Sequence, residues 1–263
     1  MKHLVVYFFI FFCNWVQSQV KSIESSYINT VIVDADIYVG RDAFATQYYL
    51  KNNVLYKTND NVTMQYQNVA FGKITKVDIS NPLKILLFYQ DFNAIIILDN
   101  QLNDIQKVEF STLSIPVVAS AVGISGQNQF WIYNSLNQQI GLYDLVSNKY
   151  NDLGVPIKET FRYYQTDFNY FHWIDSQNQW MTCSIFGRVF SKGTIDDFEQ
   201  VQLLENDKLV YLINNQLYFK DIKNDLVFEI KIVEKTFKNY YYKDQILSIF
   251  TDRGITNYKI ILP

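Results

Sequence analysis

Residues 84–98 read KILLFYQDFNAIIIL, and this stretch contains the pattern that decides the fold. Two apolar runs of strand length, 85–89 and 94–98, flank a short polar turn that ends at Asn93. Both runs are continuous and rich in β-branched and aromatic residues, which favours strands covered on both faces over helices. The stretch therefore predicts a buried β-hairpin.

The same arrangement of two strand-like runs around a polar turn occurs six times along the chain. The equivalent turn positions are Asn53, Asn93, Asn137, Asn178, Asn215 and Gly254, which are separated by 37 to 44 residues. A steady period of this size is typical of repeat architectures. Because Asn and Gly adopt positive φ most readily, we expect a left-handed backbone at all six positions. We also expect Gly to be tolerated at Asn93 and Asn137.

Strand units of about 40 residues with both faces covered resemble the blades of a β-propeller. The chain lacks the Gly-His and Trp-Asp hallmarks of WD40 repeats and the paired glycines of kelch repeats, so the resemblance is one of architecture. It implies an all-β, β-propeller-like ring of about six four-stranded blades. Residues 19–33 would supply the outer strand that the last blade lacks, which closes the ring. The alternative is a two-layer β-sandwich.

Residues 1–18 have the features of a signal peptide. A short basic start precedes an apolar run from Leu4 to Cys13, and Ser18 is a suitable residue for signal-peptidase cleavage. The run is about half of the ~20 residues that span a bilayer, so we predict cleavage after Ser18 and no transmembrane segment in the mature chain. Residues 19–263 would then form a single exported β-propeller-like domain. In a bacterium its location would be the periplasm, the outer membrane or the cell surface; otherwise it would be secreted.

Charge and cysteine content indicate which partners are unfavourable and what stabilises the fold. The chain has a net charge of −3, and its 23 basic residues are scattered rather than clustered, which argues against nucleic acid as a partner. Without the signal peptide the chain has one cysteine, Cys183, so it forms no internal disulfide and its stability must come from packing. We predict that Cys183 is a buried small hydrophobe.

Few side chains of the mature chain offer reactive chemistry. His172 is its single histidine, which argues against a multi-histidine metal site, and no Gly-x-Ser-x-Gly turn presents a nucleophile. We interpret His172 as a packed residue with one hydrogen bond. No catalytic residue, metal ligand or cofactor is assigned, which favours a non-enzymatic protein over an enzyme.

Six aspartates lie at predicted turns: Asp91, Asp99, Asp144, Asp175, Asp221 and Asp252. Turn aspartates commonly accept hydrogen bonds from their own backbone, and this role explains their recurrence. The alternative function is a carbohydrate-active or other hydrolase that uses a carboxylate pair in the central funnel.

Aromatic residues supply the candidate binding site. Consecutive residues of a strand point to opposite faces, so the tyrosines of two short clusters cannot all enter one core. These candidates are Tyr163, Tyr164, Tyr240, Tyr241 and Tyr242. We interpret the protein as an exported binding or scaffolding module whose partner is a cell-envelope protein or a surface polysaccharide. In the competing interpretation, these rings fill the gaps between blades.

Overall fold

The computed structural model describes residues 21–59, 62–126, 128–158, 160–234 and 236–263. The predicted signal peptide and its cleavage site lie outside these residues. Within the described ranges, no helix is long and apolar enough to cross a membrane. Two 3₁₀ turns are present, at Gln90–Phe92 and Phe110–Thr112.

The remaining regular structure is β-strand. In chain order, the strands are β1 (Lys21–Glu24), β2 (Ser26–Val31), β3 (Ile37–Arg41), β4 (Gln47–Lys51), β5 (Val54–Asn59), β6 (Val62–Tyr66), β7 (Lys76–Asp78), β8 (Ile85–Tyr89), β9 (Ala94–Leu98), β10 (Asp104–Glu109), β11 (Ala119–Ile124), β12 (Gln129–Asn134), β13 (Gln139–Asp144), β14 (Lys149–Leu153), β15 (Tyr163–Thr166), β16 (Tyr170–Ile174), β17 (Gln179–Ser184), β18 (Val189–Thr194), β19 (Gln200–Leu204), β20 (Lys208–Ile213), β21 (Gln216–Asp221), β22 (Leu226–Lys231), β23 (Asn239–Lys243), β24 (Ile246–Thr251) and β25 (Gly254–Lys259).

The strands form six sheets arranged as the blades of a ring. Blades 1 to 5 consist of β3–β6, β7–β10, β11–β14, β15–β18 and β19–β22, and blade 6 consists of β23, β24, β25 and β2. Contact between β23 of blade 6 and β3 of blade 1 closes the ring. The predicted β-propeller is therefore confirmed, and the two-layer sandwich is wrong.

The N-terminal strands fasten the last two blades. β2 pairs antiparallel with β25, with Val31 opposite Ile255, which confirms that part of the 19–33 segment supplies the missing outer strand. β1 was not predicted: it pairs in parallel with β22, with Lys21 opposite Phe228, and gives blade 5 a fifth strand. Two consecutive strands thus cover the outer edges of neighbouring blades.

The continuous apolar runs are explained by packing between blades. β8 and β9 are buried at every position. Leu87 and Ile96 face blade 1, where they belong to one core cluster with Tyr48. Phe88 and Ile95 face blade 3 in a separate cluster. Each fully buried side chain of this kind contributes about 1.5–3 kcal/mol to stability, so the gaps between blades form the core.

The predicted burial of Cys183 is also confirmed, because its side chain is 1% exposed.

The turn geometry agrees with the repeat at five of the six positions. Asn53, Asn93, Asn178, Asn215 and Gly254 all have positive φ. At Asn137 the prediction is wrong, because Gln138 is the residue with positive φ, at 59°. The left-handed asparagines directly precede the second strand of each hairpin, and in blade 3 the residue at that position is Gln138, which directly precedes β13.

Two of these asparagines also form hydrogen bonds that the repeat pattern did not predict. Asn93 Nδ2 donates to the carbonyl oxygen of Val117 at 2.6 Å, and Asn93 Oδ1 accepts from the N–H of Ala119 at 2.8 Å. Asn53 bonds Gly72 and Ile74 in the same way, both at 2.7 Å. Each side chain therefore ties its hairpin turn to the linker that leads into the next blade.

Candidate binding site at the ring axis

The first strand of each blade lies nearest the axis, as the contacts of β11 with β15, β15 with β19, β19 with β23 and β23 with β3 show. These inner strands enclose an axial cavity of about 250 Å³. Its lining combines polar and aromatic side chains, including Lys76, Asp78, Gln165, Gln202 and Tyr241. The repeat thus brings together residues that are far apart in the sequence.

Two glutamines link neighbouring inner strands through both ends of their amide groups. Gln165 Nε2 donates to the carbonyl oxygen of Leu203 at 2.8 Å, and its Oε1 accepts from the Leu203 N–H at 3.1 Å. Gln202 bonds Tyr242 in the same way, at 2.7 and 2.8 Å. Because both main-chain groups are satisfied by one side chain, each glutamine replaces the pairing that a further strand would give.

Two glycines allow the inner strands to approach closely. Gly40, at φ 145°, lies against the ring of Tyr241, and a Cβ there would fall 2.8 Å from the ring atoms. A Cβ at Gly123 would fall 1.9 Å from the hydroxyl oxygen of Thr166. Larger residues at either position would force blades 6 and 1, or blades 3 and 4, apart, so the glycines set the narrow dimensions of the axis.

The axial cavity contains one cation and one carboxylate. Lys76 Nζ lies 3.6 Å from the ring centroid of Tyr164, in a cation–π contact that runs from blade 2 to blade 4. Asp78 Oδ2 accepts from the N–H of Ile124 at 2.8 Å and Asp78 Oδ1 from the N–H of Ser80 at 2.9 Å. The hydroxyl of Thr166 also approaches Asp78 Oδ2, at 3.4 Å. The carboxylate is therefore engaged in joining blades 2, 3 and 4.

A larger groove of about 880 Å³ adjoins the axial cavity and shares Gln165, Gln202 and Tyr241 with it. It lies on the face formed by the turns between the first and second strands of blades 4, 5 and 6. Phe168 and Tyr170, at 47% and 37% exposure, are its accessible aromatic residues. Charged residues of both signs complete the lining: Asp167, Lys192, Glu205, Asp207, Lys208, Lys243 and Asp244.

His172 lies in the wall of this groove as a packed residue. It is 9% exposed, and its Nε2 is 3.0 Å from Asp167 Oδ2 while its Nδ1 is 2.9 Å from the Thr182 hydroxyl. Trp180 Nε1 donates to the same Nδ1 at 3.3 Å. Packing is as predicted, but the polar contacts are more numerous than the single hydrogen bond expected. Thr182 is 0% exposed, so its hydroxyl is not accessible to a substrate.

The structure brings the five candidate tyrosines to the axis but gives them different surroundings. Tyr163, Tyr164, Tyr240 and Tyr241 line the axial cavity, and Tyr241 and Tyr242 line the groove. Tyr240 is 7% exposed, and its hydroxyl donates to the carbonyl oxygen of Val210 at 2.6 Å. Tyr240 is therefore a packing residue and is not accessible to a partner. Burial, with Asp78 and Asp244 nearby, raises the pKa of Tyr241 to about 12.

The turn aspartates show the hydrogen bonds expected of structural residues. Four of the six accept from backbone N–H groups two to four residues further along the chain: Asp99, Asp144, Asp175 and Asp221. Hydrogen bonds from turn groups hold the pKa values of Asp99, Asp144 and Asp221 below the usual value. Asp252 instead pairs with Lys238 at 2.8 Å.

No group of three or more His, Cys, Asp or Glu side chains in the described ranges could hold a metal ion. The axial lining itself includes a single carboxylate, that of Asp78. The arrangement is therefore suited to binding through aromatic, amide and charged groups.

Sequence reasoning missed the axial glutamines and Lys76. Gln165 and Gln202 are 37 residues apart, which is one repeat period, so a search for recurring amides could have found them. Lys76 has no such signal, because it occurs once on the short strand β7.

Comparisons with solved structures show the fold. The β-propeller domain of Myceliophteria thermophila Cps50 (Swd1) is similar, with a TM-score of 0.59 and 9% identity over 90% of this chain and 100% of that chain. A catalytically inactive virginiamycin B lyase from Staphylococcus aureus with quinupristin gives a TM-score of 0.55 and 10% identity, over 89% and 99%. BBS1N in complex with ARL6DN gives 0.54 and 8%, over 82% and 74%.

No protein-family model matches the chain, and no curated protein sequence matches it either. The structural neighbours include both an enzyme and a protein solved in complex with another protein. At identities of 8–10%, these likenesses bear on architecture and do not distinguish catalysis from binding. The comparisons therefore show that the chain has a β-propeller fold.

Proposed function

We propose that the protein is an exported, non-enzymatic binding module that docks on a protein of the cell envelope through the groove of blades 4, 5 and 6. The observation that carries this proposal is the groove itself. It has a volume of about 880 Å³ and combines accessible aromatic rings with charges of both signs. Interfaces between proteins are enriched in such aromatic anchors surrounded by polar groups.

The geometry at the axis favours binding over hydrolysis. A hydrolase of the alternative kind needs two carboxylates that converge on the substrate, with the pKa of one raised so that it can act as an acid. Asp78 is the carboxylate of the axial lining, and its oxygens accept hydrogen bonds from three blades. In the groove, hydrogen bonding to His172 and to backbone N–H groups outweighs desolvation and lowers the pKa of Asp167.

Export is a separate part of the proposal and rests on the sequence of residues 1–18. N-terminal sequencing of the natural protein should give a start at or near Gln19. An intact Met1, or a lipid on Cys13, would contradict a cleaved signal peptide.

Partner capture by accessible side chains of the groove tests the binding role. We expect Phe168→Ala and Tyr170→Ala to reduce co-purification of the envelope partner, because truncating an interface anchor costs about 2 kcal/mol or more. Phe44→Ala is the matched control, since Phe44 is 69% exposed and lies outside the groove. Equal capture by all three variants, with unchanged thermal melts, would exclude this groove as the docking site.

A further inference from the structure

We propose that the axial cavity is a second binding site, specific for a small organic molecule that carries one carboxylate, with Lys76 as its anchor. This site is distinct from the docking groove, although the two share part of their lining. The placement of charge in this cavity is unusual. Lys76 is half-buried in a cavity at the centre of the ring, and it forms no ion pair with a carboxylate of the described residues.

The contacts of Lys76 leave its ammonium group able to accept an anionic ligand. The Tyr164 ring lies on one side of the ammonium, at 3.6 Å from Nζ to the centroid. The lysine ammonium has three N–H donors, and an aromatic ring has no lone pair that could accept a directed hydrogen bond from one of them. A carboxylate oxygen could therefore bond Lys76 without displacing this aromatic contact, and hydrogen bonds between charged groups are about twice as strong as neutral ones.

The charge of the surroundings favours a monoanion. Asp78, two residues along β7, also lines the cavity, so the fixed charges of Lys76 and Asp78 cancel. A singly charged carboxylate paired with Lys76 leaves one net negative charge, whereas a phosphate dianion would leave two. The hydrogen bonds from the N–H groups of Ile124 and Ser80 already hold the Asp78 carboxylate, which keeps it from competing for Lys76.

The size and walls of the cavity indicate the rest of the ligand. A volume of about 250 Å³ is below the usual range for drug-sized ligands, which is roughly 300–1,000 Å³. The apolar part of the wall comes from Val39, Ile79 and the rings of Tyr163 and Tyr241. Such a wall suits a small flat or branched apolar body. Entry would occur from the groove, where Gln165, Gln202 and Tyr241 border both spaces.

Benzoate and its neutral analogue benzamide test the proposal on the full mature chain. By isothermal titration calorimetry we expect saturable binding of benzoate, with benzamide at least about tenfold weaker because it lacks the charge. Lys76→Met should weaken the binding of benzoate by a similar factor. Lys73→Met, at an exposed lysine outside the cavity, should bind like the wild type.

Three results would overturn the site: no saturable benzoate binding up to about 10 mM, equal affinity for benzamide, or unchanged affinity in Lys76→Met. Tighter binding of inorganic phosphate than of benzoate would contradict the monoanion assignment. If Lys76→Met fails to fold by circular dichroism, the comparison of benzoate with benzamide on the wild type still decides the matter. Partner capture is measured separately, so loss of either function is distinguishable.

Discussion

Replacing Asn93 by Gly removes a side chain that the structure ties to the next blade. Gly keeps the left-handed backbone of this position (φ 49°, ψ 48°), so no strain is introduced. It deletes the bonds from Asn93 to the carbonyl of Val117 and the N–H of Ala119, two residues that are each 2% exposed. At about 1 kcal/mol net for each bond, the loss is about 2 kcal/mol. The expectation from sequence that Gly is tolerated here is therefore revised.

The matched control is Asn215→Gly, because Asn215 also has a positive φ (59°) and an exposed side chain that forms no hydrogen bond with the described residues. Differential scanning calorimetry should show a Tm about 4–8 °C lower for Asn93→Gly than for this control. Asn93→Val should cost about 1–2 kcal/mol more, since a β-branched side chain is strained at positive φ. Equal Tm values for the two glycine variants would refute the linking role of Asn93.

Three further predictions concern the axis and the groove. Gln202→Leu should lower the free energy of unfolding by about 2 kcal/mol, because it removes the partners of the N–H and carbonyl groups of Tyr242. Chemical denaturation measures this loss, and Gln101→Leu at an exposed glutamine is the control. Burial raises the pKa of Tyr241 to about 12 in the folded state. The stability that depends on the protonated hydroxyl is therefore complete below pH 10 and is lost as the pH approaches 12. The free energy of unfolding of Tyr241→Phe should fall less steeply over this pH range than that of the wild type. His172→Gln should fold and retain partner capture, and loss of capture in a folded His172→Gln protein would point to a catalytic or recognition role instead.

The repeat architecture could be predicted from the sequence because each blade contains the same hairpin. Continuous burial of strands such as β8 and β9 leaves apolar runs, and left-handed turns select Asn or Gly, as at Asn178 and Gly254. The position in blade 3 was assigned one residue early, because its turn contains both Asn137 and Gln138, and the polar pattern does not show which of them precedes the second strand. A one-residue error of this kind cannot be detected from composition.

The site was only partly predictable, since it depends on which blades meet at the axis. The tyrosine clusters were identified from their positions in the sequence, but alternation along a strand did not reveal that Tyr240 bonds Val210 and is buried. The contact of Lys76 with Tyr164 joins residues 88 positions apart and exists because the inner strands of blades 2 and 4 meet at the axis. Parallel strand β1 was missed because it is short and has one buried residue, Ile23.

Site-specific photocrosslinking tests most directly the claim that the groove is the docking surface. A photoreactive amino acid would replace Phe168 in the groove, or Phe44 or Phe92 outside it, in the full chain expressed in its own cells. Illumination should give one discrete adduct with an envelope protein at Phe168 and none at the other two positions. An adduct of equal yield at Phe44 or Phe92, or none at Phe168, would contradict the proposed docking surface.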